Sequence, residues 1–185
     1  MWNIPNLLTS FRILLIPVFL VFFYLPIPYA HFTAACIFVF AAITDGLDGY
    51  LARKLNQHTK FGAFLDPVAD KIMVAAALIV VVEHHQTLWI TIPGLIIISR
   101  ELIISALREW MAEVGKRDAV AVSSLGKIKT TAQMIALTAL LWNANLFIST
   151  VGTVALYTAA VLTLWSMQVY LMNAWDELTA ENRAN

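Results

Sequence analysis

The chain has 185 residues, of which 60% are hydrophobic and 13% charged, and its mean hydropathy is +0.75. That composition excludes a soluble enzyme and a disordered chain. Twelve Lys and Arg balance twelve Asp and Glu, so no global positive excess recruits nucleic acid and any electrostatic function must be local.

In chain order, the first dozen residues lack a basic n-region and a small-residue cleavage site, so they do not form a secretory signal peptide. Ile4, Leu7, Leu8 and Phe11 share one helical face, which predicts a short interfacial helix leading into the first membrane span. Residues 13–44 and 130–175 contain no Asp, Glu, Lys or Arg. Each stretch is long enough for two crossings of about 20 residues. Each also breaks near its middle, at Pro26-Ile27-Pro28 and at Asn143-Ala144-Asn145. Between these two hairpins lie apolar runs near 72–82, reaching back to Pro67, and near 88–107, separated by Glu83-His84-His85-Gln86. The expected fold is an all-α integral membrane protein with six transmembrane helices, preceded by the short N-terminal interfacial helix. No repeat or linker divides it, so residues 1–185 are expected to form a single membrane-embedded domain.

Basic residues of short loops stay on the cytoplasmic side. The turns near 25–31, 83–88 and 143–150 hold none, whereas Arg12, Arg53, Lys54, Lys60, Lys71, Arg108, Lys116, Arg117, Lys127, Lys129 and Arg183 all fall on the other side. Both termini are therefore expected in the cytoplasm. Arg100 alone falls inside a span, beside Glu101, where an ionisable pair faces a bundle interior or a polar cavity. A structural role neutralised by Glu101 or a neighbouring helix is the favoured reading for it. Cys36, the single cysteine, reads as core or lipid-facing packing. His84 and His85 fall in an outer turn and His31 and His58 appear singly, so none reads as a metal ligand. Trp2, Trp89, Trp142 and Trp175 sit near span ends, as in an aromatic belt.

The chemistry concentrates in two runs, Asp45-Gly46-Leu47-Asp48-Gly49-Tyr50-Leu51-Ala52-Arg53 and Gly62-Ala63-Phe64-Leu65-Asp66-Pro67-Val68-Ala69-Asp70. At about 100° per residue, Asp45 and Asp48 lie roughly 60° apart on a helix, with Gly49 and Ala52 in the same sector. Gly62, Asp66 and Asp70 follow at i, i+4 and i+8, one nearly straight stripe. A single pair of such aspartates is ordinarily a solvated cap, and Asp66 before Pro67 is also a helix-start signal. Four carboxylates at a membrane edge repel one another unless a cation neutralises them, and oxygen-only ligation suits Mg²⁺ or Mn²⁺. Two such ions clamp a diphosphate, while small residues let a bulky phosphate ester approach the backbone.

These two runs match D-x2-D-G-x2-A-R-x8-G-x3-D-x3-D at all eight specified positions, and the chain thereby resembles the CDP-alcohol phosphotransferase family. Further likeness runs from Asn3-Ile4-Pro5-Asn6-Leu7-Leu8-Thr9 through Ser99-Arg100-Glu101 and Ala106-Leu107-Arg108-Glu109-Trp110 to Gly126-Lys127-Ile128-Lys129-Thr130. The resemblance implies six transmembrane helices, a homodimer, and divalent metal, Mg²⁺ or Mn²⁺, as two ions per subunit. It implies transfer of a phosphatidyl group from CDP-diacylglycerol to sn-glycerol 3-phosphate with release of CMP, in the inner membrane of a bacterium with the site facing the cytoplasm. By position it implies Asp45, Asp48 and Asp66 as metal ligands, and Asp70 as a further ligand or the general base. Gly49, Ala52, Arg53 and Gly62 would contact CDP-diacylglycerol. Arg108, Lys127 and Lys129 are candidates for the acceptor phosphate, since Arg offers it a bidentate fork and Lys a point charge. Another member activity, on the acceptors used by cardiolipin or phosphatidylinositol-phosphate synthases, is the nearest alternative. A divalent-cation transporter is disfavoured because the acids cluster at one membrane face. A membrane prenyltransferase is disfavoured by the spacing that includes Gly49, Ala52 and Arg53.

Overall fold

The computed structural model describes residues 4–54, 59–115 and 124–184, with the side chains of residues 4–5, 48–53, 60–61, 63, 124–127, 173 and 176–184 outside that description. Its helices are α1 (Ile4–Tyr24), α2 (Ala30–Lys54), α3 (Lys60–His85), α4 (Leu88–Glu113), α5 (Ser124–Trp142) and α6 (Leu146–Ala184). The described residues contain no strand.

The chain reverses where the sequence predicts. Pro26 and Pro28 lie between α1 and α2, and Asn143 leaves α5 in the left-handed region with φ 45°, which asparagine tolerates well. Gln86 closes α3 at φ 48°, its N–H donating to the Val82 carbonyl.

One boundary differs from expectation. The predicted separate interfacial helix is absent: residues from Ile4 onward run without interruption into α1. Helix α3 starts at Lys60, so it carries Gly62, Asp66 and Asp70 together as their spacing predicts, and the Thr59 side chain caps it by accepting from the Gly62 N–H. Pro67 sits inside α3, where it removes one backbone donor.

Among the described residues, four helices are long and apolar enough to cross a membrane, over Asn6–Tyr24, Ala30–Leu47, Leu88–Glu113 and Leu146–Met172. Helices α3 and α5 fall short by composition: their uncharged runs, 72–82 and 130–142, are briefer than a full crossing, and Asp66, Asp70, Lys71, Lys127 and Lys129 precede them.

The chain divides into two compact units, residues 1–86 with 137–152, and residues 87–136 with 153–185. In the first, α1 packs on α2 and α3. The buried stripe of α1 is Asn6, Thr9, Arg12, Ile16, Phe19 and Phe23, while Leu7, Phe11, Leu14, Val18 and Val21 are exposed. The apolar face predicted to lie on a membrane is thus the outer face, and the polar residues at the start of α1 turn inward. Where the surroundings are lipid, packing and polar pairing between helices replace water exclusion as the cohesive force. Phe19 meets Phe38 of α2 at 6.3 Å between ring centres, beside Ala34 and Ala41, whose small side chains admit close approach. Gly152 of α6 serves the same purpose, since a Cβ there would lie 2.8 Å from Leu140 Cγ of α5.

In the second unit, Ile90, Ile97, Ile104 and Met111 bury one face of α4 at seven-residue intervals. Ile104 and Met111 pack with Leu107 against Met167, Tyr170 and Ala174 of α6. The same buried face of α4 carries Arg100.

Candidate active site

Three helices of the first unit build the acidic site. The buried stripe of α2, Ala34, Phe38, Ala41 and Thr44, leads into Asp45, and Gly62, Ala69 and Met73 on α3 flank Asp66 and Asp70. From α1 come Asn6, Thr9 and Arg12, spaced three residues apart and all buried. Arg12 Nη1 lies 2.7 Å from Asp45 Oδ1, and the same nitrogen donates to Asp70 Oδ1. Thr9 Oγ1 donates to Asp66 Oδ1 at 2.6 Å. Asn6 Nδ2 donates to the Thr59 hydroxyl at 2.9 Å, and Thr59 in turn caps α3. One polar stripe of α1 therefore gathers three of the four predicted aspartates.

Burial is uneven across this cluster. The Arg12 side chain is 1% exposed, whereas those of Asp45 and Asp70 are 44% and 48% exposed. The carboxylates accordingly have a guanidinium behind them and open space in front. The contacts of Arg12 and Thr9 with the aspartates are made to Oδ1. Among the described residues, no three acidic, histidine or cysteine side chains surround a point that could hold an ion, and the Asp48 side chain lies outside the described residues. What the present residues offer is oxygen-only carboxylate donors from two helices, partly open and already assembled around a cationic group. That chemistry fits a hard divalent cation such as Mg²⁺ or Mn²⁺.

The predicted nucleotide contacts Gly49, Ala52 and Arg53 are on α2, but their side-chain positions lie outside the described residues. Gly62 is buried, and a Cβ on it would run into Asn6 Oδ1. The space a side chain would fill there is thus taken by the Asn6 amide of α1.

A second polar cluster stands in the other unit. Arg100 Nη2 donates to Ser166 Oγ of α6 at 2.9 Å, and Arg100 Nη1 pairs with Glu101 at 3.3 Å. The neighbouring carboxylate and the neighbouring helix expected to neutralise Arg100 are both present. Lys129 of α5 is buried and ion-paired with Glu101. Burial pushes its ammonium below the usual lysine range, and the Glu101 carboxylate opposes that shift. Arg108 Nη2 donates to the Tyr170 hydroxyl at 3.1 Å, its guanidinium 5.3 Å from the ring centre. Of the three predicted acceptor-phosphate residues, Arg108 and Lys129 belong to this unit with defined partners, and the Lys127 side chain lies outside the described residues.

His31 is not isolated, contrary to expectation. Its ring stacks on Phe23 at 4.5 Å and meets His84 edge-on at 4.7 Å, bringing together residues 53 apart in sequence through the packing of α1, α2 and α3. Burial, with His31 and His85 close by, lowers the pKa of His84. Cys36 is exposed on α2.

Arg12, Thr9, Asn6 and Tyr170 are site residues that sequence reasoning does not single out. Their signal exists for α1: Asn6, Thr9 and Arg12 recur at three-residue spacing in a mostly apolar segment, a pattern that in a membrane helix marks the buried face.

Residues 2–165 match the CDP-alcohol phosphatidyltransferase family, and the chain belongs to it. Its relatives include the CDP-diacylglycerol–glycerol-3-phosphate 3-phosphatidyltransferases of Shigella flexneri serotype 5b (strain 8401), Shigella boydii serotype 4 (strain Sb227) and Escherichia coli (strain K12). Each is 58% identical over 177 residues, spanning 96% of this chain and 97% of the relative.

Proposed function

We propose that the chain transfers the phosphatidyl group of CDP-diacylglycerol to sn-glycerol 3-phosphate, forming phosphatidylglycerophosphate and releasing CMP. The observation that carries this reading is 58% identity over nearly the full length of enzymes bearing that activity in their names. The acidic site supplies a chemical rationale. In this reading the whole chain works as one domain with six crossings, both termini and the aspartates on the cytoplasmic side of a bacterial inner membrane, as a homodimer. Helices α3 and α5, with their briefer uncharged runs, cross with their charged ends at the cytoplasmic surface, in keeping with the side on which basic residues gather.

Asp45, Asp48, Asp66 and Asp70 would hold Mg²⁺ or Mn²⁺, two ions per subunit. When bound, the cations supply charge neutralisation for the diphosphate and for the departing CMP. The chain's own residues do the rest. Gly49, Ala52 and Arg53 would receive the nucleotide, and the acyl chains stay in lipid. Asp70 would take the proton from the primary hydroxyl of the acceptor as its oxygen attacks the phosphatidyl phosphorus. The bond to CMP breaks, and CMP leaves with the electron pair. Arg108, Lys127 and Lys129 would hold the acceptor's phosphate, with Glu101 and Tyr170 fixing the two cations they touch.

The test is CMP release by the protein purified in detergent, from CDP-diacylglycerol with Mg²⁺, with and without sn-glycerol 3-phosphate. Release only with that acceptor is expected. Release with inositol phosphate and none with glycerol 3-phosphate would overturn the acceptor, and no release under any metal and acceptor would overturn the reaction.

A further inference from the structure

Arg12 combines three properties that a packing residue has no need of. It carries a full charge at 1% exposure on a helix whose outer face is apolar, it places a single nitrogen between carboxylates of two different helices, and those carboxylates are themselves half-exposed. A buried guanidinium is tolerated only where anions compensate it, and clustered carboxylates remain close and ionised only where a cation compensates them. Each side of this arrangement therefore supplies what the other lacks.

We propose that Arg12 is the counter-cation of the metal-free site: a positioning residue that holds Asp45 and Asp70 together before a divalent ion binds, and whose charge then competes with that ion for the same carboxylates. The proposal rests on reading the aspartates as a divalent-cation site. Linkage follows from the competition. A group that stabilises the metal-free form more than the metal-bound form weakens metal binding by the same factor. Thr9 and Asn6 complete the device without charge. Thr9 fixes Asp66, and Asn6, through the Thr59 cap, fixes the start of α3, so the stripe that carries Arg12 also sets the register of the helix bearing two of the aspartates.

The experiment compares the full-length protein in detergent with Arg12→Gln, measuring Mn²⁺ binding by calorimetry and thermal unfolding in chelator and in saturating Mg²⁺. Removing the charge is expected to tighten Mn²⁺ binding by roughly fivefold or more, the low end of an ordinary coupling between sites. It should also lower the unfolding temperature in chelator by more than in Mg²⁺. Arg12→Gln combined with Asp70→Asn removes one charge of each sign, so it should recover most of the stability lost in chelator. That double variant also keeps the proposal testable should Arg12→Gln alone fail to fold, since a residue serving only to fill space gains nothing from Asp70→Asn. Unchanged or weaker Mn²⁺ binding, or an equal loss of stability with and without Mg²⁺, would overturn the proposal for Arg12 alone. Absence of Mn²⁺ binding by the unaltered protein would overturn the metal reading, and the competition with it.

Discussion

The polar clusters of the two units mirror each other in charge. Around α1, Asp45 and Asp70 meet one guanidinium and Asp66 meets the Thr9 hydroxyl, leaving two negative charges within that set. On α4 and α5, Arg100 and Lys129 meet the single carboxylate of Glu101, leaving one positive charge, and Arg108 adds another with only the neutral Tyr170 hydroxyl as its stated partner. In each case the minority charge is the organiser. Arg12 ties α1 to α2 and α3, and Glu101 ties Arg100 of its own helix to Lys129 of α5. The difference lies in what remains to be neutralised. A residual negative charge with partly open carboxylates suits a divalent cation, and a residual positive charge built on arginine suits a phosphate.

The comparison can be broken most forcefully at the majority charges of the acidic cluster. Asp70→Asn is expected to lower the rate of CMP release by roughly 10²- to 10⁴-fold, the usual contribution of a positioned base. Asp45→Asn or Asp66→Asn should in addition weaken metal binding, and wild-type rates in all of these variants would remove the acidic site from the chemistry. At the minority charge of the basic cluster, Glu101→Gln leaves Arg100 and Lys129 without their shared carboxylate. It should cost about 2 kcal/mol, or roughly 4–8 °C in thermal unfolding for a chain of this size. An unaltered unfolding temperature would mean that Glu101 organises nothing. The smallest effect is the most diagnostic of function: Arg108→Ala should raise the KM for glycerol 3-phosphate by about tenfold, or 1.4 kcal/mol, and that for CDP-diacylglycerol less. Equal rises for both substrates would reduce Arg108 to a packing partner of Tyr170.

Much of this was legible before the structure. Charge-free stretches with a break at Pro26-Ile27-Pro28 or Asn143-Ala144-Asn145 define helix pairs in any apolar chain, and the reversals fall there. The spacing of the aspartates on α2 and α3 likewise follows from helical periodicity alone. Two things were misplaced for one reason. An amphipathic pattern says that a helix has two faces, but which face turns inward depends on the solvent, and at the start of α1 it is the polar face. Arg12 could thus be counted only among the basic residues that mark the cytoplasmic side. Gly62 was legible as a small residue at the head of the aspartate stripe, there to admit a ligand, but Asn6, whose side chain occupies that space, is 56 residues away in sequence. Pairings across such distances, among them His31 with His84, are properties of packing that local pattern does not carry.

The bond between Arg12 and Asp70 joins residues 58 positions apart. A ribosome adding about 5–20 residues per second leaves Arg12 without that partner for roughly 3–12 seconds. Asp45, the other carboxylate beside Arg12, follows after 33 residues, so the guanidinium can pair with α2 before α3 has been made. Before that pairing, an arginine on such a helix stays at the headgroup boundary, its stem along the acyl chains and its charge in water. The contacts of α1 with Asp66 and Asp70 can form only once α3 has been made, so the order of synthesis is written into the site.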